Sequence, residues 1–397
     1  MASPPPERAG GLRLAHRLDD IAPFQVMDIL ARARALEAQG RSIIHLEIGE
    51  PAEPTPAPVV EAGMAALAAG HLHYTMALGL PELREAIARH YRERHGVAVA
   101  PERVVVTPGS SGALLLALGA LADAGGEVLM ADPGYPCNRH FARFLDLVPR
   151  SLPVGPDSGF QLSAPLLEAH WSAKVQAVLL ASPSNPTGTA VDRAGMAAIA
   201  ELCRTRGAHL IVDEIYQELI YEPGYVTALA LDDGVFVINS FSKYFHMTGW
   251  RLGWLVAPQW ALDGIERLVQ NIFLAPSTPA QYAALAAFAP QTLDILEARK
   301  EELRARRDYL VAALGPLGFR VPVRPQGAFY VYADCAALGL DSQALCAKLL
   351  DEAGVALTPG IDFGAHDAGR YLRLAYTVPL EQLQEAVTRM AVCLGRG

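Results

Sequence analysis

Residues 104–136 read VVVTPGSSGALLLALGALADAGGEVLMADPGYP, and this stretch decides the fold. Val104–Val106 is a β-branched run of the kind that forms a strand. A turn of small residues follows, Thr107-Pro108-Gly109-Ser110-Ser111-Gly112, and then a helix over Ala113–Ala122. Glu127–Ala131 returns as a strand and ends in Asp132-Pro133-Gly134-Tyr135-Pro136. Working outward, Val175–Ala181, His209–Val212 and Gly234–Asn239 repeat the signal. These short runs of Val, Leu and Ile suit strands buried on both faces of a parallel sheet. Helical segments such as Arg193–Arg206 lie between them. The alternation predicts an α/β fold with a large, doubly wound, mostly parallel sheet.

The flanks differ. Pro4–Pro6 and Gly10-Gly11 mark residues 1–12 as a flexible tail. A helical pattern over Pro23–Gln39 is ended by Gly40, and Ser42–Ile48 reads as a short strand. After about Phe273 the pattern changes to a long charged helix over Gln291–Leu314, strand-like Gly327–Ala333, a helix near Ser342–Ala353 and strand-like Tyr371–Ala375. These predict a smaller α+β domain. The expected division is a tail at 1–12, an N-terminal segment at 13–50 that joins the small domain, a large domain at 51–283 and a small domain at 284–397.

Composition bounds the function. A chain of 397 residues with 51% hydrophobic content has ample material for a core, and two or three domains are expected at about 100–200 residues each. The 42 acids against 33 bases give a formal charge of −9, which argues against nucleic acid as a partner. No apolar run approaches the ~18–20 residues of a membrane-spanning helix, so no membrane is expected. Five cysteines, at 137, 203, 335, 346 and 393, show no CxxC spacing. His71 and His73 have HxH spacing without a third ligand, so no metal site is expected. The N-terminus has no apolar core of a secretory signal, and a reducing cytoplasm is the expected location.

In open α/β sheets ligands bind beyond the carboxyl ends of the strands, so those positions carry the chemistry. After Val104–Val106, Gly109, Ser110 and Ser111 open a helix whose free N–H groups would suit a phosphate. Tyr135 presents a ring after the next strand, and Asn185 presents an amide in Ser184-Asn185-Pro186-Thr187-Gly188. Asp213 ends an apolar strand, an expensive place for a carboxylate without a cationic partner, with Tyr216 just behind it. Ser240-Phe241-Ser242-Lys243 follows Gly234–Asn239, and Arg251 comes soon after. One edge thus gathers a phosphate cup, an aromatic face, an amide, a carboxylate, a phenol, a lysine and an arginine. That set matches pyridoxal 5′-phosphate, whose aldehyde needs a lysine, whose pyridine nitrogen needs a carboxylate and whose phosphate needs N–H groups, hydroxyls and a cation. Ser240-Phe241-Ser242-Lys243 also fits SxxK of penicillin-binding enzymes, but the SDN and KTG partners are missing and Ser240 follows a strand.

With these residues in place the chain resembles the fold-type I pyridoxal-phosphate enzymes, in particular the class I/II aminotransferases, from about Leu14 to Gly395. The motifs occur in family order: LEIGEP at 46–51, YTMALGLPELR at 74–84, TPGSSGAL at 107–114, DPGYP at 132–136 and SNPTG at 184–188. VDEIY at 212–216, SFSKYFHMTGWRLGW at 240–254, GAFY at 327–330 and YLRLAY at 371–376 complete the series. The resemblance implies that Lys243 is the Schiff-base lysine and proton shuttle, and that Asp213 holds the pyridinium proton. It implies that Tyr216, helped by Asn185, donates to the cofactor's phenolic oxygen and that Tyr135 lies over the ring. Gly109, Ser110, Ser111, Ser240, Ser242 and Arg251 would hold the phosphate. Tyr74 would reach the phosphate of a neighbouring subunit, so a homodimer with shared active sites is implied. Arg373 would clamp the substrate carboxylate, with Gly49 and Asn185 completing that site, a task suited to a guanidinium fork. His246 stands where the family often has a small residue.

The expected reaction is transfer of an amino group between an L-amino acid and a 2-oxo acid by a ping-pong route. The segment from Ile21 to Val26 is expected to cover the site and is largely apolar, which favours neutral substrates: alanine, methionine, branched or aromatic amino acids. Aspartate is the alternative if Arg13, Arg17 or His16 swings in, and a C–S lyase (β-elimination) reaction is another. A non-catalytic effector-binding domain is the remaining class. It lacks support because only about 20 residues precede the fold, where such regulators carry a basic winged-helix module.

Overall fold

The strands of the computed structural model, which describes residues 14–396, are β1 (Ile44–His45), β2 (Val104–Thr107), β3 (Glu127–Asp132), β4 (Val148–Pro153), β5 (Val175–Ala181) and β6 (His209–Asp213). They continue as β7 (Phe236–Ser240), β8 (Gly253–Val256), β9 (Tyr330–Asp334), β10 (Val355–Ala356), β11 (Thr358–Pro359) and β12 (Tyr371–Ala375). The tail expected at 1–12 lies outside the described residues.

Seven strands form one sheet in the order β2-β8-β7-β6-β5-β3-β4. Neighbours from β7 to β4 run parallel, whereas β8 is antiparallel to both β7 and β2. The carboxyl ends of β2, β3, β5, β6 and β7 therefore emerge at one edge. Alternate residues of each strand enter two separate cores, as the two-residue period of a strand requires. Val104 and Val106, with Leu210 and Val212, face one, whereas Val105 and Ile211 face the other. Both faces are dry, which is why these strands read as unbroken apolar runs. Full burial of one such side chain is worth about 1.5–3 kcal/mol, so the sheet is a rigid base for whatever its edge carries.

The second body is a three-stranded antiparallel sheet in the order β11-β12-β9, with Arg373 opposite Tyr332 on one side and Thr358 on the other. The N-terminal helix Gln25–Ala38 leads into β1, which pairs in parallel with β10 at Ile44↔Val355. This ties the N-terminal segment to the C-terminal part of the chain. Among the described residues no helix is long and apolar enough to cross a membrane.

Several elements differ from expectation, among them the strand read at Ser42–Ile48, of which only Ile44–His45 pairs. The helix after β2 begins at Gly109, not Ala113, because Gly-Ser-Ser-Gly has poor helix propensity but is tolerated in a first turn. β8 was not expected; its first two residues close a quoted motif, and its direction is opposite to the alternation around it. β4 was also unexpected, since its edge position leaves it half-wet and it carries Pro149 and Pro153. The helix from Ser342 ends at Lys348 and continues as a π-helical turn over Leu349–Ala353.

Candidate active site

The strand ends frame a cavity of about 300 Å3. Gly49, Ser110, Ser111, Tyr135, Asn185, Asp213, Tyr216, Ser242, Lys243, Arg251 and Arg373 all line it. Four other expected site residues do not. Gly109 backs the cavity behind Arg251. Ser240 is buried beneath it, its hydroxyl oxygen 3.0 Å from Ser242 Oγ and 3.2 Å from Leu252 O and accepting from the Ser242 N–H at 3.0 Å, so it supports Ser242. Ile21 lies outside, and Phe24, Val26 and Met27 form the N-terminal wall instead. Tyr74 is 81% exposed on the outer surface.

The loop after β7 carries Lys243, whose Nζ donates to Gly49 O at 2.6 Å. Its amine is buried, and burial together with Arg373 and Arg251 pushes its pKa down to about 8, although the Glu50 carboxylate opposes them. Gly49 has no room for a side chain, since a Cβ there would lie 2.0 Å from Tyr330 Oη. At the end of β6, Asp213 is pushed up to about 6 by burial, opposed by the Ile215 N–H that donates to its Oδ1 at 3.1 Å and by Lys243. Tyr216 and Tyr330 share a hydrogen bond of 2.7 Å between their hydroxyls, and burial raises both phenols.

The helix Gly109–Leu121 starts without a side-chain cap, so its first N–H groups face the cavity unsatisfied by the chain. Arg251 lies against this terminus. Gly109 has φ +72°, and a Cβ on it would sit 2.7 Å from Arg251 Nη2. Arg251 itself adopts a left-handed φ of 52° and donates to Thr248 O at 3.0 Å. A non-glycine residue held there is strained, a feature that concentrates at functional sites.

Arg373 projects from β12 into the opposite wall. Its guanidinium lies between the rings of Tyr330 (4.4 Å) and Phe363 (4.8 Å). Nη1 donates to Asn185 Oδ1 at 2.8 Å, and Nη2 donates to Glu47 O and, at 3.4 Å, to Thr358 Oγ1. Nε is buried without a partner. Behind it, His45 Nδ1 bonds the buried Glu47 carboxylate at 2.7 Å and its Nε2 meets Glu37 Oε1 at 3.1 Å. Those bonds hold the His45 pKa above its ordinary value.

These residues fit pyridoxal phosphate on grounds visible in the structure. An uncapped helix N-terminus, two serines, Ser242 and an arginine offer donors to a phosphate. A buried amine and a buried carboxylate, each with its charged form destabilised, face one cavity, and a cationic ring beside Asp213 would reverse its penalty.

The chain was compared with known proteins. The model of the family "Aminotransferase class I and II" matches residues 41–390. The chain belongs to the class I and II aminotransferases. It is 40% identical to valine–pyruvate aminotransferase of Mycobacterium tuberculosis over 93% of this chain and 96% of that one. It is 37% identical to (5-formylfuran-3-yl)methyl phosphate transaminase of Methanocaldococcus jannaschii, over 96% of this chain and all of that one. Among solved structures, an aminotransferase from Mycobacterium tuberculosis superposes with a TM-score of 0.93 at 39% identity, covering 97% of this chain and all of that one. The protein is accordingly an aminotransferase, a transferase of the α/β fold type I.

Sequence reasoning missed several residues of this aminotransferase cavity. Glu50, an immediate neighbour of Gly49, accepts from Thr248 Oγ1. Thr248, Tyr330 and Leu114 lay inside quoted motifs without assigned roles, and Asn138 and Phe141 carried no signal because they follow the DPGYP motif, two and five residues past its end. His246 proves to be a strut. It has φ 54°, burial drives its pKa down to about 4, and its Nδ1 contacts Glu53 O at 3.2 Å while its carbonyl accepts from Thr55 Oγ1 at 2.7 Å. His71 stacks on Tyr282 at 4.5 Å. A buried network was also unread: His90 and His95 both bond Glu218 Oε1, at 3.0 and 2.7 Å, and Arg94 Nε lies 3.3 Å from Oε2.

Proposed function

We propose that this aminotransferase uses pyridoxal phosphate to move an amino group between a neutral L-amino acid and a 2-oxo acid in a ping-pong cycle. The observation that carries the reading is the buried Lys243 amine in one cavity with Asp213 and with Arg373, whose Nε has no partner. The bound cofactor supplies a carbonyl for the amino group and an electron-poor ring that takes up charge from Cα. Lys243 moves the proton to and from substrate Cα, a task suited to an amine whose pKa of about 8 lies near neutrality. Asp213 would hold the ring nitrogen protonated, and Tyr135 would pack on the ring. Tyr216 and Asn185 would serve its phenolic oxygen. Ser110, Ser111, Ser242 and Arg251 hold the phosphate, with Gly109 giving Arg251 its room and Ser240 holding Ser242. Arg373, set by Asn185 and Glu47 O, receives the substrate carboxylate beside Gly49. Phe24, Val26 and Met27 exclude water.

Neutral substrates are favoured by the walls of the side-chain end, which are largely apolar. Arg17, one of the residues proposed to swing in for aspartate, instead donates to Phe144 O at 2.7 Å and Asp146 Oδ2 at 3.0 Å; Arg13 lies outside the described residues. The named activity of the Mycobacterium tuberculosis relative, on valine, agrees with this reading. A homodimer is supported by the exposed apolar side chains of Met64, Leu67, Leu72 and Met76 and the exposed ring of Tyr74. Tyr74 would reach the partner's site. The division of the chain at 51–283 and 284–397 is supported by the confinement of the large sheet to residues 104–256 and of β9, β10, β11 and β12 to 330–375. A cytoplasmic setting is supported by five free cysteines.

The test is the absorbance spectrum of protein loaded with pyridoxal phosphate, titrated with amino acids without any oxo acid. A visible band that alanine, valine or methionine converts to a near-ultraviolet band establishes the half-reaction. A band that Lys243→Ala leaves unchanged overturns the assignment of Lys243. Release of pyruvate and ammonia from cystathionine would instead mark β-elimination.

A further inference from the structure

We propose that His90, His95 and Glu218 form a binding site for one divalent ion of the zinc class, separate from the cofactor cavity. The helix Pro81–His95 carries both histidines, and Glu218 lies in the short turn Gln217–Leu219 that follows Tyr216. His90 Nε2 and His95 Nε2 approach the same carboxylate oxygen, Glu218 Oε1, at 3.0 and 2.7 Å. The three ligand atoms all lie within 4.8 Å of one another, so one ion can touch each of them. His90 and Glu218 are 7% and 4% exposed, and the second carboxylate oxygen, Oε2, is buried without a hydrogen bond. The expectation of no metal rested on His71 and His73, which are exposed and lie outside this cluster.

Two imidazole nitrogens and one carboxylate oxygen are a donor set for zinc, whereas calcium and magnesium take oxygen ligands. Ligand atoms held about 2.0–2.2 Å from one zinc at the corners of a tetrahedron sit about 3.3–3.6 Å apart. The histidine nitrogens therefore need to draw back from Oε1 by only about 0.3–0.9 Å, leaving the fourth position to Oε2 or a water. The rings of Phe245 and Phe288 lie 5.9 and 5.2 Å from that of His90, an apolar outer shell that keeps water from this side. His95 also lines an open cavity of about 490 Å3 with Gly96, Val97 and Arg193, which gives an ion a way in from solvent. Two cations oppose the site. Arg94 Nε lies 3.3 Å from Oε2, and Lys300 interacts with the same carboxylate. Two further acids balance them: Glu297 accepts from Arg94 Nη2 at 2.7 Å, and buried Glu214 acts on His95. The competing arrangement is a strut without metal, in which each histidine simply donates to Oε1.

The test uses the full chain without an affinity tag, loaded with its cofactor, stripped with a chelator and dialysed against zinc chloride. The unmodified protein should take up one zinc per chain, and zinc should raise its melting temperature, because an ion that binds only the folded chain stabilises it. His95→Gln, at the wetter edge of the cluster, should weaken zinc binding by more than about 100-fold, beyond the 10- to 100-fold that loss of an outer-shell partner costs. Glu218→Gln should do the same. Its core position makes it the variant more prone to misfold, and His95→Gln decides the matter if it does. His71→Gln combined with His73→Gln should leave uptake unchanged. Cobalt(II) in place of zinc should give the strong visible absorption of a four-coordinate ion, lost in His95→Gln. Failure of the unmodified chain to retain zinc overturns the proposal and leaves the trio as a strut. Uptake that survives His95→Gln overturns it too, and its loss on changing His71 and His73 would assign that zinc to the surface.

Discussion

Replacing Lys243 by methionine keeps the length of the side chain and removes its charge, and the cofactor-free protein should become more stable for it. In the folded protein burial lowers the amine from 10.5 to about 8. At about 1.4 kcal/mol per pKa unit, holding the ammonium in that cavity costs about 3 kcal/mol wherever it is charged. The sign follows from proton counts. Between about pH 8 and 10.5 the unfolded chain binds more protons at this position than the folded one, so stability rises with pH across that window. The contribution is fully present above 10.5 and lost as pH falls through about 8. Urea unfolding of cofactor-free protein at a series of pH values from 7 to 10 reads this directly. Lys243→Met should be more stable than the unmodified chain by about 3 kcal/mol at pH 7, with the difference shrinking steadily above pH 8. A variant no more stable at pH 7, or a difference that does not change with pH, would refute the argument that the lysine is held charged against its surroundings.

Asp213→Asn should likewise stabilise the cofactor-free protein at pH 7 by about 3 kcal/mol, because raising the carboxyl from 3.8 to about 6 withdraws stability as pH climbs through that value; equilibrium unfolding measures it, and the same variant should bind pyridoxal phosphate without supporting the half-reaction. Gly109→Ala places a Cβ 2.7 Å from Arg251 Nη2 at a φ of +72°, so cofactor affinity, followed by fluorescence titration, should fall at least tenfold while unfolding shows a loss of about 1–2 kcal/mol. If the proposed dimer forms through the surface that carries Met64 and Leu72, Met64→Glu with Leu72→Glu should leave monomers in sedimentation velocity, and activity should fall with it. His45→Gln should flatten the pH dependence of KM for the amino donor: the raised His45 pKa means its bond to Glu47 is complete below the ordinary histidine value and lost as pH rises through the folded one. An unchanged KM profile would separate that chain from Arg373.

How much of this was legible in the residues depends on what kind of signal each part leaves. β2, β5 and β6 could be read because a strand buried on both faces must be apolar at every position. Asp213 and Lys243 could be read because charged groups at or just past the ends of such strands are costly without a purpose, whereas Arg373, in the middle of β12, was legible only through the family resemblance of YLRLAY. β8 left no such trace, since its direction is decided by which neighbours it pairs with, and pairing is non-local. The first turn of the helix at Gly109 resembled a loop for the same reason it suits a ligand: glycines and serines weaken the helix while leaving its N–H groups approachable. Asn138 was invisible because it lies just past the motif, where the helix turns it into the cavity, and Ser240 was over-read because a motif shows that a residue matters without showing which way it points.

The site is assembled from parts that would each be unfavourable alone, and the manner of assembly bears on how it works. Lys243 and Asp213 are fixed by the rigid seven-stranded sheet, where each bears a penalty that a bound cofactor would relieve. Arg373 is different. It stands on the small sheet at β12, yet its guanidinium is set by Asn185 after β5, by the carbonyl of Glu47 and, more weakly, by Thr358 of β11. Three separate stretches of chain thus converge on the one cation that is expected to receive the substrate carboxylate. Asp362 of the small domain in turn accepts the N–H of Gln25 at 2.9 Å, fastening the N-terminal helix whose first turn, with Phe24 before it, brings Val26 and Met27 to the cavity. A ligand that satisfies Arg373 Nε therefore acts on the junction between the two sheets and the N-terminal wall together. Binding energy from a remote carboxylate can in this way favour the arrangement that keeps water from Lys243, which is the arrangement proton transfer at Cα requires.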